Sequence, residues 1–437
     1  MASLQSQIFD LIQESQYWSK DALRAYQESQ LSQLIAHARA TVPFYRHRLD
    51  GLFRSDGSID WSRWHDLPVL TRSDLRDHGA ELCTSAPPPG HGEIRNSMTS
   101  GSSGTPVHLR QNLLFLQATN VAGRRFALWA GITPEMTFAT LAAYFPRHLD
   151  ETVNVHELPA QSTLPGRGRR LVVRRTLPPA ALLDLLAAEG VEALGGNVNL
   201  IEIMARENAR RAQPVRLAAV MFYGVQVHEA QIRTIANSFG ARCFDTYSAE
   251  ETGRIASQCA PGSAYHINAE QMLVEVVDSS NRSVAPGQEG RILVTPFLLT
   301  AQPLIRYELG DLAVAGEACS CGRSLPTIAR LTGRQDPLFL DAGGRAIFPH
   351  FDHELIIEAL HCQAYQLAQT APLAVEVRYI PGSTAPAAPG LAAIRAMILK
   401  VMPEQTTVTF MAVEGLPDHT GRKIQRIVRE FSPAGTQ

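Results

Sequence analysis

The alternation of helical and apolar segments between residues 107 and 260 constrains the fold of this chain more than any other feature. The candidate helices read LLFLQATNVAGRRFALWAG, PAALLDLLAAEG, NLIEIMARENARR and EAQIRTIANSFG. The short apolar runs read TFATLAAY, VEALGG, LAAVMFYG and ARCFDTY. Apolar strands that alternate with helices predict an α/β lobe with a substantially parallel sheet.

The pattern changes on both sides of this lobe. The first 40 residues repeat apolar positions at helical spacing, and Pro43 ends the second repeat, which predicts a helical cap on the lobe. A further helix is expected to begin at Thr71 or Ser73. Residues 263–300 contain two runs of period two, HINAEQMLVEVVD and GRILVTPFL, which predict antiparallel strands of a smaller β region.

The C-terminal part of the chain forms a pattern of its own. LAVEVRYI predicts a strand, LAAIRAMILKVM a helix and TTVTFMAV a second strand. The sequence therefore predicts an α/β protein of two domains. Residues 1–335 form a large multi-lobed α/β domain with a β subdomain, and residues 336–437 form a small α+β domain.

Charge and composition limit the classes of partner that this chain is expected to bind. Forty Lys and Arg residues against 42 Asp and Glu give a net charge of −2, and no long run of one sign occurs, so neither nucleic acid nor a membrane surface is expected. The N-terminus lacks the features of a secretory signal, and no stretch approaches the roughly 20 apolar residues of a membrane span. A cytoplasmic protein with a small-molecule partner is expected, in which six cysteines are too few for a disulfide scaffold.

Residues 99–106 read TSGSSGTP, a run of small hydroxyl residues and glycines. Glycines let the backbone approach an anion, while hydroxyl and N–H groups donate hydrogen bonds to phosphate oxygens. A phosphate-binding loop is therefore the functional interpretation, and a flexible surface loop is the alternative that composition alone allows. The loop lacks the GKS or GKT ending of P-loop NTPases.

TSGSSGTP also resembles the TSGTTGxP loop of the adenylate-forming enzyme superfamily. Other motifs of that superfamily follow in the expected order: FDTYSAEETG at 244–253, PLIRYELGDLA at 303–313 and GRQDPLFL at 333–340. Three further segments are similar to the phenylacetate–CoA ligase and coenzyme F390 synthetase group: HARATVPFYR at 37–46, LPVLTRSDLR at 67–76 and CSCGRSLP at 319–326. The resemblance runs from about residue 30 to the C-terminus. It implies ATP-dependent activation of a carboxylic acid to an acyl-adenylate, followed by transfer to the thiol of coenzyme A.

The resemblance implies a nucleotide site. The hydroxyl loop would hold the ATP phosphates, Tyr247 would pack on adenine, and Asp311 would accept hydrogen bonds from both ribose hydroxyls. Arg334 would contact the nucleotide beside a hinge at Asp336, and rotation there would make the C-terminal domain mobile between two half-reactions. The predicted nucleotide-binding residues are Thr99, Ser100, Gly101, Ser102, Ser103, Gly104, Thr105, Asp245, Thr246, Tyr247, Asp311 and Arg334. For Asp245 a structural role is the alternative.

Two charged residues are implied in catalysis. Glu251 matches the glutamate that helps to hold Mg²⁺, although its neighbour Glu250 is an alternative ligand. GLPDHTGRKIQR at 415–426 resembles the C-terminal lysine motif of the superfamily. Lys423 would stabilise the charge that builds between the attacking carboxylate and the departing pyrophosphate, and Arg422 competes for this role.

Three cysteines and a histidine form a candidate metal site: Cys259 and His266 in QCAPGSAYHI, and Cys319 and Cys321 in ACSCGR. Three thiols and an imidazole suit tetrahedral zinc, but the spacings match no standard zinc finger, so separate buried cysteines are the alternative. The phenylacetate–CoA-ligase-like group shows this quartet in the same places, which implies a structural zinc without an open coordination position. The other cysteines, Cys83, Cys243 and Cys362, are expected to serve packing.

The acid is expected to bind between residue 136 and the segments LGGNVNL and MFYGVQV. The candidate pocket residues are Phe145, Asn197, Tyr223, Gly224 and Gln226. In phenylacetate ligases the segment that follows residue 136 is rich in glycine and aromatic residues, whereas here it reads TLAAYFPRHLDETVNVHELPA. The resemblance therefore predicts an aryl or related acid but does not identify which one.

Three functions are compatible with the sequence. The first is an AMP-forming acyl–CoA ligase that uses ATP with Mg²⁺. The second is an adenylating enzyme that delivers the acyl group to a carrier-protein thiol or an amine. The third is a degenerate nucleotide-binding protein. Three departures from the family motifs favour it: Thr105 stands where many members carry lysine or arginine, Glu250 replaces the usual threonine, and Arg422 displaces the motif lysine by one residue. A homodimer is left open, and a serine hydrolase is not expected because the chain lacks G-x-S-x-G after a strand.

Overall fold

The computed structural model describes residues 4–98, 107–142, 153–158, 167–224, 227–334, 339–340, 346–347, 353–400, 402–416 and 427–431. Contacts divide these residues into two units. The N-terminal unit comprises the described residues up to Gly333, and the C-terminal unit comprises those from Arg334 onward. The domain boundary between residues 335 and 336 stays a prediction.

The N-terminal segment is helical, as its apolar spacing predicts. Helix α1 spans Leu4–Ser15 and α2 spans Lys20–Thr41, followed at once by a 3₁₀ turn that begins at Pro43. Two more 3₁₀ turns follow, at Asp50–Leu52 and Trp61–Asp66. Thr71 then begins α3 (Arg72–Asp77) through a capping box with Asp74, which selects Thr71 of the two predicted starts.

One sheet of twelve strands forms the centre of the N-terminal unit in the described part of the chain. Its order is β11-β12-β13-β14-β10-β9-β8-β7-β6-β3-β5-β4. The strands are β3 (Phe138–Ala142), β4 (Val155–Glu157), β5 (Arg170–Arg174), β6 (Ala193–Gly196), β7 (Ala219–Tyr223), β8 (Arg242–Ala249), β9 (Gly253–Gln258), β10 (Tyr265–Ile267), β11 (Met272–Val277), β12 (Glu289–Pro296), β13 (Tyr307–Ala315) and β14 (Thr327–Arg334). A separate hairpin joins β1 (Ile94–Met98) to β2 (His108–Asn112).

Strand β8 divides the sheet into two regions. It runs parallel to β7 and antiparallel to β9, so the sheet changes from a mainly parallel to an antiparallel region at this strand. The predicted period-two runs are the antiparallel pair β11 and β12. The β region is thus hydrogen-bonded into the same sheet as the parallel strands.

Helices cover both faces of the parallel region. Along β7, Ala219 and Met221 pack in the same core as α4, whereas Val220 and Phe222 pack with α5, α6 and α7. This alternation shows why the parallel strands are continuous apolar runs: both faces are buried. The helices are α4 (Leu113–Trp129), α5 (Pro179–Ala188), α6 (Val198–Asn208) and α7 (Glu229–Phe239).

The C-terminal unit is an α+β module with a core of its own. A sheet of order β19-β18-β17-β20 carries its two helices, and a short pair β15-β16 precedes them. The elements are β15 (Phe339–Leu340), β16 (Ala346–Ile347), α8 (His353–Leu360), β17 (Cys362–Ala371), β18 (Ala374–Pro381), α9 (Ala388–Leu399), β19 (Thr407–Ala412) and β20 (Ile427–Arg429). None of the helices in the described part of the chain has the length and hydrophobicity that a bilayer span requires.

Candidate functional site

The carboxyl ends of the parallel strands gather the predicted site residues. Strands β6, β7 and β8 are parallel neighbours that end at Gly196, Tyr223 and Ala249. In open α/β sheets this edge is where ligands bind. Predicted acid-binding and nucleotide-binding positions therefore share one edge of the sheet.

A hydrogen bond joins two predicted nucleotide residues that are 64 positions apart in the sequence. Tyr247, near the end of β8, donates its hydroxyl proton to Oδ2 of Asp311 in β13 at 2.7 Å. The ring of Tyr247 is buried. Gly310, the neighbour of Asp311 within β13, has φ of +77°, a left-handed conformation that favours glycine. The fold thus brings an aromatic ring and a carboxylate together from two distant segments.

The two neighbouring glutamates differ in their surroundings. Glu251 is buried, and its Oε1 accepts a hydrogen bond from Nη1 of Arg72 at 3.0 Å. Glu250 is exposed, and its backbone carbonyl accepts a hydrogen bond from Gln111 at 2.8 Å. Burial and a fixed cationic partner orient the carboxylate of Glu251, so Glu251 is the better candidate for a metal ligand.

Sequence reasoning missed Arg72. It is the first residue of α3, and the capping box of Thr71 with Asp74 fixes the start of that helix. The segment LPVLTRSDLR at 67–76 indicates a family likeness and gives no sign of a partner for Arg72. A basic residue that directly follows a helix cap was the available signal, but nothing in the sequence paired it with Glu251.

Asp245 and Thr246 make contacts inside the sheet. Tyr265 donates its hydroxyl proton to Oδ2 of Asp245 at 2.6 Å, and the backbone N–H of Thr246 donates to Oδ1 at 2.8 Å. Burial raises the pKa of Asp245 to about 6, although both hydrogen bonds oppose the rise. The hydroxyl of Thr246 lies 3.1 Å from that of Ser257. These contacts favour the structural alternative for Asp245, and nucleotide binding by the pair stays a prediction.

The described acid-pocket candidates lie at the ends of β6 and β7. Asn197 caps α6, because its Oδ1 accepts a hydrogen bond from the N–H of Asn199 at 2.9 Å. Gly224 has φ of +88° and turns the chain after β7. The hydroxyl of Tyr223 is buried and lacks a well-formed hydrogen bond.

Several predicted site residues lie outside the described residues. These are the whole loop Thr99–Thr105, the catalytic candidates Arg422 and Lys423, the hinge residue Asp336 and the pocket candidates Phe145 and Gln226. For Arg334 only the backbone is described, at the end of β14. Their predicted roles remain predictions.

The cysteine and histidine quartet converges in space. One ligand atom from each of Cys259, His266, Cys319 and Cys321 lies within 4.8 Å of the others. The sulfur atoms of Cys259 and Cys319 are 3.7 Å apart, and the sulfur of Cys321 is 3.3 Å from Nε2 of His266. Tetrahedral zinc with Zn–S bonds of about 2.3 Å separates two sulfurs by about 3.8 Å. The donor set and its spacing therefore fit a zinc ion.

The electrostatics of the quartet are mixed. Burial lowers the pKa of His266 to about 4, and the charge of Arg323 adds to this, so the imidazole is neutral and able to bind a metal at pH 7. Burial raises the pKa of Cys259 to about 11. Burial acts to raise the pKa of Cys321, but hydrogen bonds with Arg323, Cys319 and Cys259 together outweigh it and lower that pKa. A cation at the quartet would supply the charge that favours thiolates at all three cysteines.

Comparison with known proteins gives two curated relatives. The chain is 27% identical over 361 residues to a phenylacetate–coenzyme A ligase of Escherichia coli, covering 80% of this chain and 79% of the relative. It is 25% identical over 346 residues to a phenylacetate–coenzyme A ligase of Thermus thermophilus, covering 74% and 73%. No protein-family profile matches the chain.

The fold also matches solved structures. A 2-hydroxyisobutyryl–CoA ligase, in the postadenylation state in complex with R3-HIB-AMP, superposes with a TM-score of 0.69. The match covers 95% of this chain and 93% of that one at 20% sequence identity. At 20% sequence identity, this similarity is evidence for a shared fold.

Proposed function

We propose that the chain belongs to the phenylacetate–coenzyme A ligase-like group of adenylate-forming enzymes, and that it activates a carboxylic acid with ATP and transfers the acyl group to coenzyme A. The hydrogen bond between Tyr247 and Asp311 is the structural observation that carries the proposal. It joins the two residues, from distant motifs, that would pack on adenine and bind the ribose. A second observation supports the proposal: both curated relatives are named coenzyme A ligases.

The first half-reaction forms a mixed anhydride. A carboxylate oxygen attacks the α-phosphorus of ATP, the bond to the bridging oxygen of pyrophosphate breaks, and pyrophosphate leaves with the bonding electrons. Mg²⁺, held in part by Glu251, would neutralise the phosphate oxygens, since carboxylate and phosphate oxygens are the ligands that it prefers. Lys423 would stabilise the charge that develops on both oxygens. Thr99–Thr105 would hold the phosphates.

The second half-reaction forms the thioester. The thiol sulfur of coenzyme A attacks the acyl carbon and loses its proton, and AMP leaves as a phosphate anion. The hinge at Asp336, with Arg334 beside it, would exchange the residues that serve the two steps. This hinge role belongs to the proposal, as do the roles of Asp245 and Thr246 at the nucleotide.

We also propose that Cys259, His266, Cys319 and Cys321 hold a structural zinc ion. The quartet provides four donors at tetrahedral spacing, which leaves no coordination position for a substrate. Cys259 directly follows β9, His266 lies in β10, and Cys319 and Cys321 lie between β13 and β14, so a bound ion would cross-link these parts of the antiparallel region. The zinc would add stability and would take no part in acyl transfer.

Product analysis tests the proposal. The protein is incubated with ATP, Mg²⁺, coenzyme A and a panel of aryl, fatty and amino acids, and the products are separated by chromatography. We expect one acid class to yield acyl–CoA and AMP in equal amounts. An acyl-adenylate that accumulates without thioester would keep acid activation and remove coenzyme A as the acceptor.

A further inference from the structure

Arg254 lies on the face of the sheet that α4 covers, and it lacks a described acidic partner. The residue is in β9, opposite Ser248 of β8. Its side chain is only partly exposed, and its Nε is buried without a hydrogen bond. Among the residues that the structure describes, no carboxylate forms an ion pair with it. A guanidinium keeps its charge in proteins, so this is an uncompensated, largely buried cation.

A glycine in α4 makes room for this guanidinium. A Cβ atom at Gly123 would lie 2.7 Å from Nε and 3.0 Å from Cζ of Arg254. Glycine inside a helix is unfavourable relative to alanine, so its presence in α4 is explained by the close approach that it permits. The helix and the arginine are fitted to each other at this point.

Polar groups of the acid-pocket region face the same side. Tyr223 follows Met221 by two residues on β7, and Met221 packs in the core that contains α4, so Tyr223 points to this face. Burial raises the pKa of Tyr223 to about 12, while the charges of Arg254 and Arg175 act in the opposite direction. Thr140 also lies beside the hydroxyl of Tyr223, without a well-formed hydrogen bond between them.

Glycine shapes the neighbouring strand as well. A Cβ atom at Gly195 would lie 2.8 Å from the ring of Phe138 and 3.2 Å from that of Tyr223. The aromatic rings of Phe138 and Tyr223 therefore approach the bare backbone of β6. The hydroxyl of Tyr223 is buried at the end of β7, and the charge of Arg254 acts on it. Aromatic rings beside a phenol hydroxyl and a guanidinium suit a ligand with an apolar middle and a charged end.

We propose that the acid which this protein activates carries a second anionic group, as in a dicarboxylic acid, and that Arg254 and the hydroxyl of Tyr223 bind this group. The inference rests on the proposed function, because it takes the ends of β6 and β7 as the acid pocket. A carboxylate supplies what the site lacks, since a guanidinium binds it through two parallel hydrogen bonds and a phenol donates a third. An acid without that group would leave Arg254 unpaired.

The test compares pairs of acids that are matched in size and differ by one negative charge. The probes are succinate, glutarate and terephthalate, each paired with the monocarboxylic acid in which a methyl replaces one carboxylate. The proteins are the wild type, Arg254→Met and Tyr223→Phe, with Arg242→Met as the control. Arg242 is an exposed arginine on the neighbouring strand β8. Acid-induced rise of the melting temperature reports binding, and acid-dependent ATP–pyrophosphate exchange reports activation.

We expect the wild type and Arg242→Met to bind at least one dicarboxylic acid at least tenfold more tightly than its monocarboxylic partner. Arg254→Met should lose that preference, and Tyr223→Phe should reduce it several-fold. A wild type that binds no dicarboxylic acid, or that prefers monocarboxylic acids, overturns the inference. An equal loss for both acids of a pair in Arg254→Met also overturns it, because the arginine would then serve the reacting carboxylate or the fold. Selective binding without exchange leaves this inference standing and counts against the proposed activation by ATP.

Discussion

The hydroxyl of Tyr247 donates a 2.7 Å hydrogen bond to Oδ2 of Asp311, which links the end of β8 to β13 across the sheet. In the proposed function, the carboxylate would bind the ribose and the ring would pack on adenine. The hydrogen bond holds the carboxylate of Asp311 in place, which lowers the conformational entropy that this side chain would lose when ATP binds.

Substitutions at this pair separate the two roles. Asp311→Ala should raise the KM for ATP by about 10- to 100-fold, because hydrogen bonds to a charged group contribute about 1.5–3 kcal/mol. Tyr247→Phe keeps the ring, and it should lower the free energy of unfolding by about 1 kcal/mol with a small effect on KM. Steady-state exchange kinetics and denaturant unfolding measure both. If Tyr247→Phe raised KM as much as Asp311→Ala, the ribose assignment of Asp311 would be wrong.

The two adjacent glutamates provide a matched pair. Glu251→Gln should reduce exchange by at least about 100-fold and raise the Mg²⁺ concentration needed for half-maximal rate, because a neutral amide is a poor ligand for this ion. Glu250→Gln, at an exposed position, should stay within about twofold of the wild type. Magnesium titrations of the exchange rate check this. The reverse order of effects would move the metal ligand to Glu250.

The buried carboxyl of Asp245 should make stability depend on pH. Its pKa is raised from 3.8 to about 6 by burial, so the folded protein retains a proton between these values that the unfolded chain has lost. The contribution of Asp245 to stability is therefore fully present below pH 3.8 and falls as pH rises to about 6.

Asp245→Asn should remove this dependence. The stability of the variant relative to the wild type should improve by about 1–3 kcal/mol between pH 4 and pH 7, with no further change above that. Unfolding of both proteins in denaturant across this range gives the difference. A difference that is constant with pH, or that shrinks as pH rises, would show that Asp245 ionises normally in the fold.

The cysteine and histidine quartet predicts a zinc content that mutation can remove. Purified protein should contain one zinc per chain by elemental analysis, and Cys319→Ser should contain little. Loss of the ion should lower the melting temperature by at least about 5 °C, because a ligand that binds only the folded state stabilises it. Cys83→Ser, at a cysteine outside the quartet, is the control and should retain the metal. A wild type that contains no zinc and is no more stable than Cys319→Ser would contradict the zinc site and show that the four side chains bind no metal.

Periodicity was sufficient for the secondary structure but not for the contacts between distant residues. The apolar runs that predict β7 and β8 are buried on both faces, which is why their pattern was so clear. The ion pair of Arg72 with Glu251 joins residues 179 positions apart, and local sequence contains no signal for it. Asp245 shows the converse limit. Its motif suggested the nucleotide, while its surroundings show a carboxylate held by Tyr265 within the sheet.

The quartet shows what a family resemblance adds. The spacings between Cys259, His266, Cys319 and Cys321 fit no standard finger, because β10 and the antiparallel strands bring the four ligands together rather than a single local loop. Arg254 marks the opposite case. Nothing in the sequence distinguishes it from other arginines on strands. The structure shows its close approach to Gly123 and its buried Nε, which lacks a hydrogen bond among the described residues.

ATP–pyrophosphate exchange with a panel of carboxylic acids, in the presence of Mg²⁺, measures whether this protein activates an acid with ATP. We predict that one acid class stimulates exchange in the wild type and in Arg422→Ala, and that Lys423→Ala lowers the rate by at least about 100-fold. Exchange that no acid stimulates, in a protein that still binds ATP, would contradict acid activation and leave a nucleotide-binding protein without this chemistry.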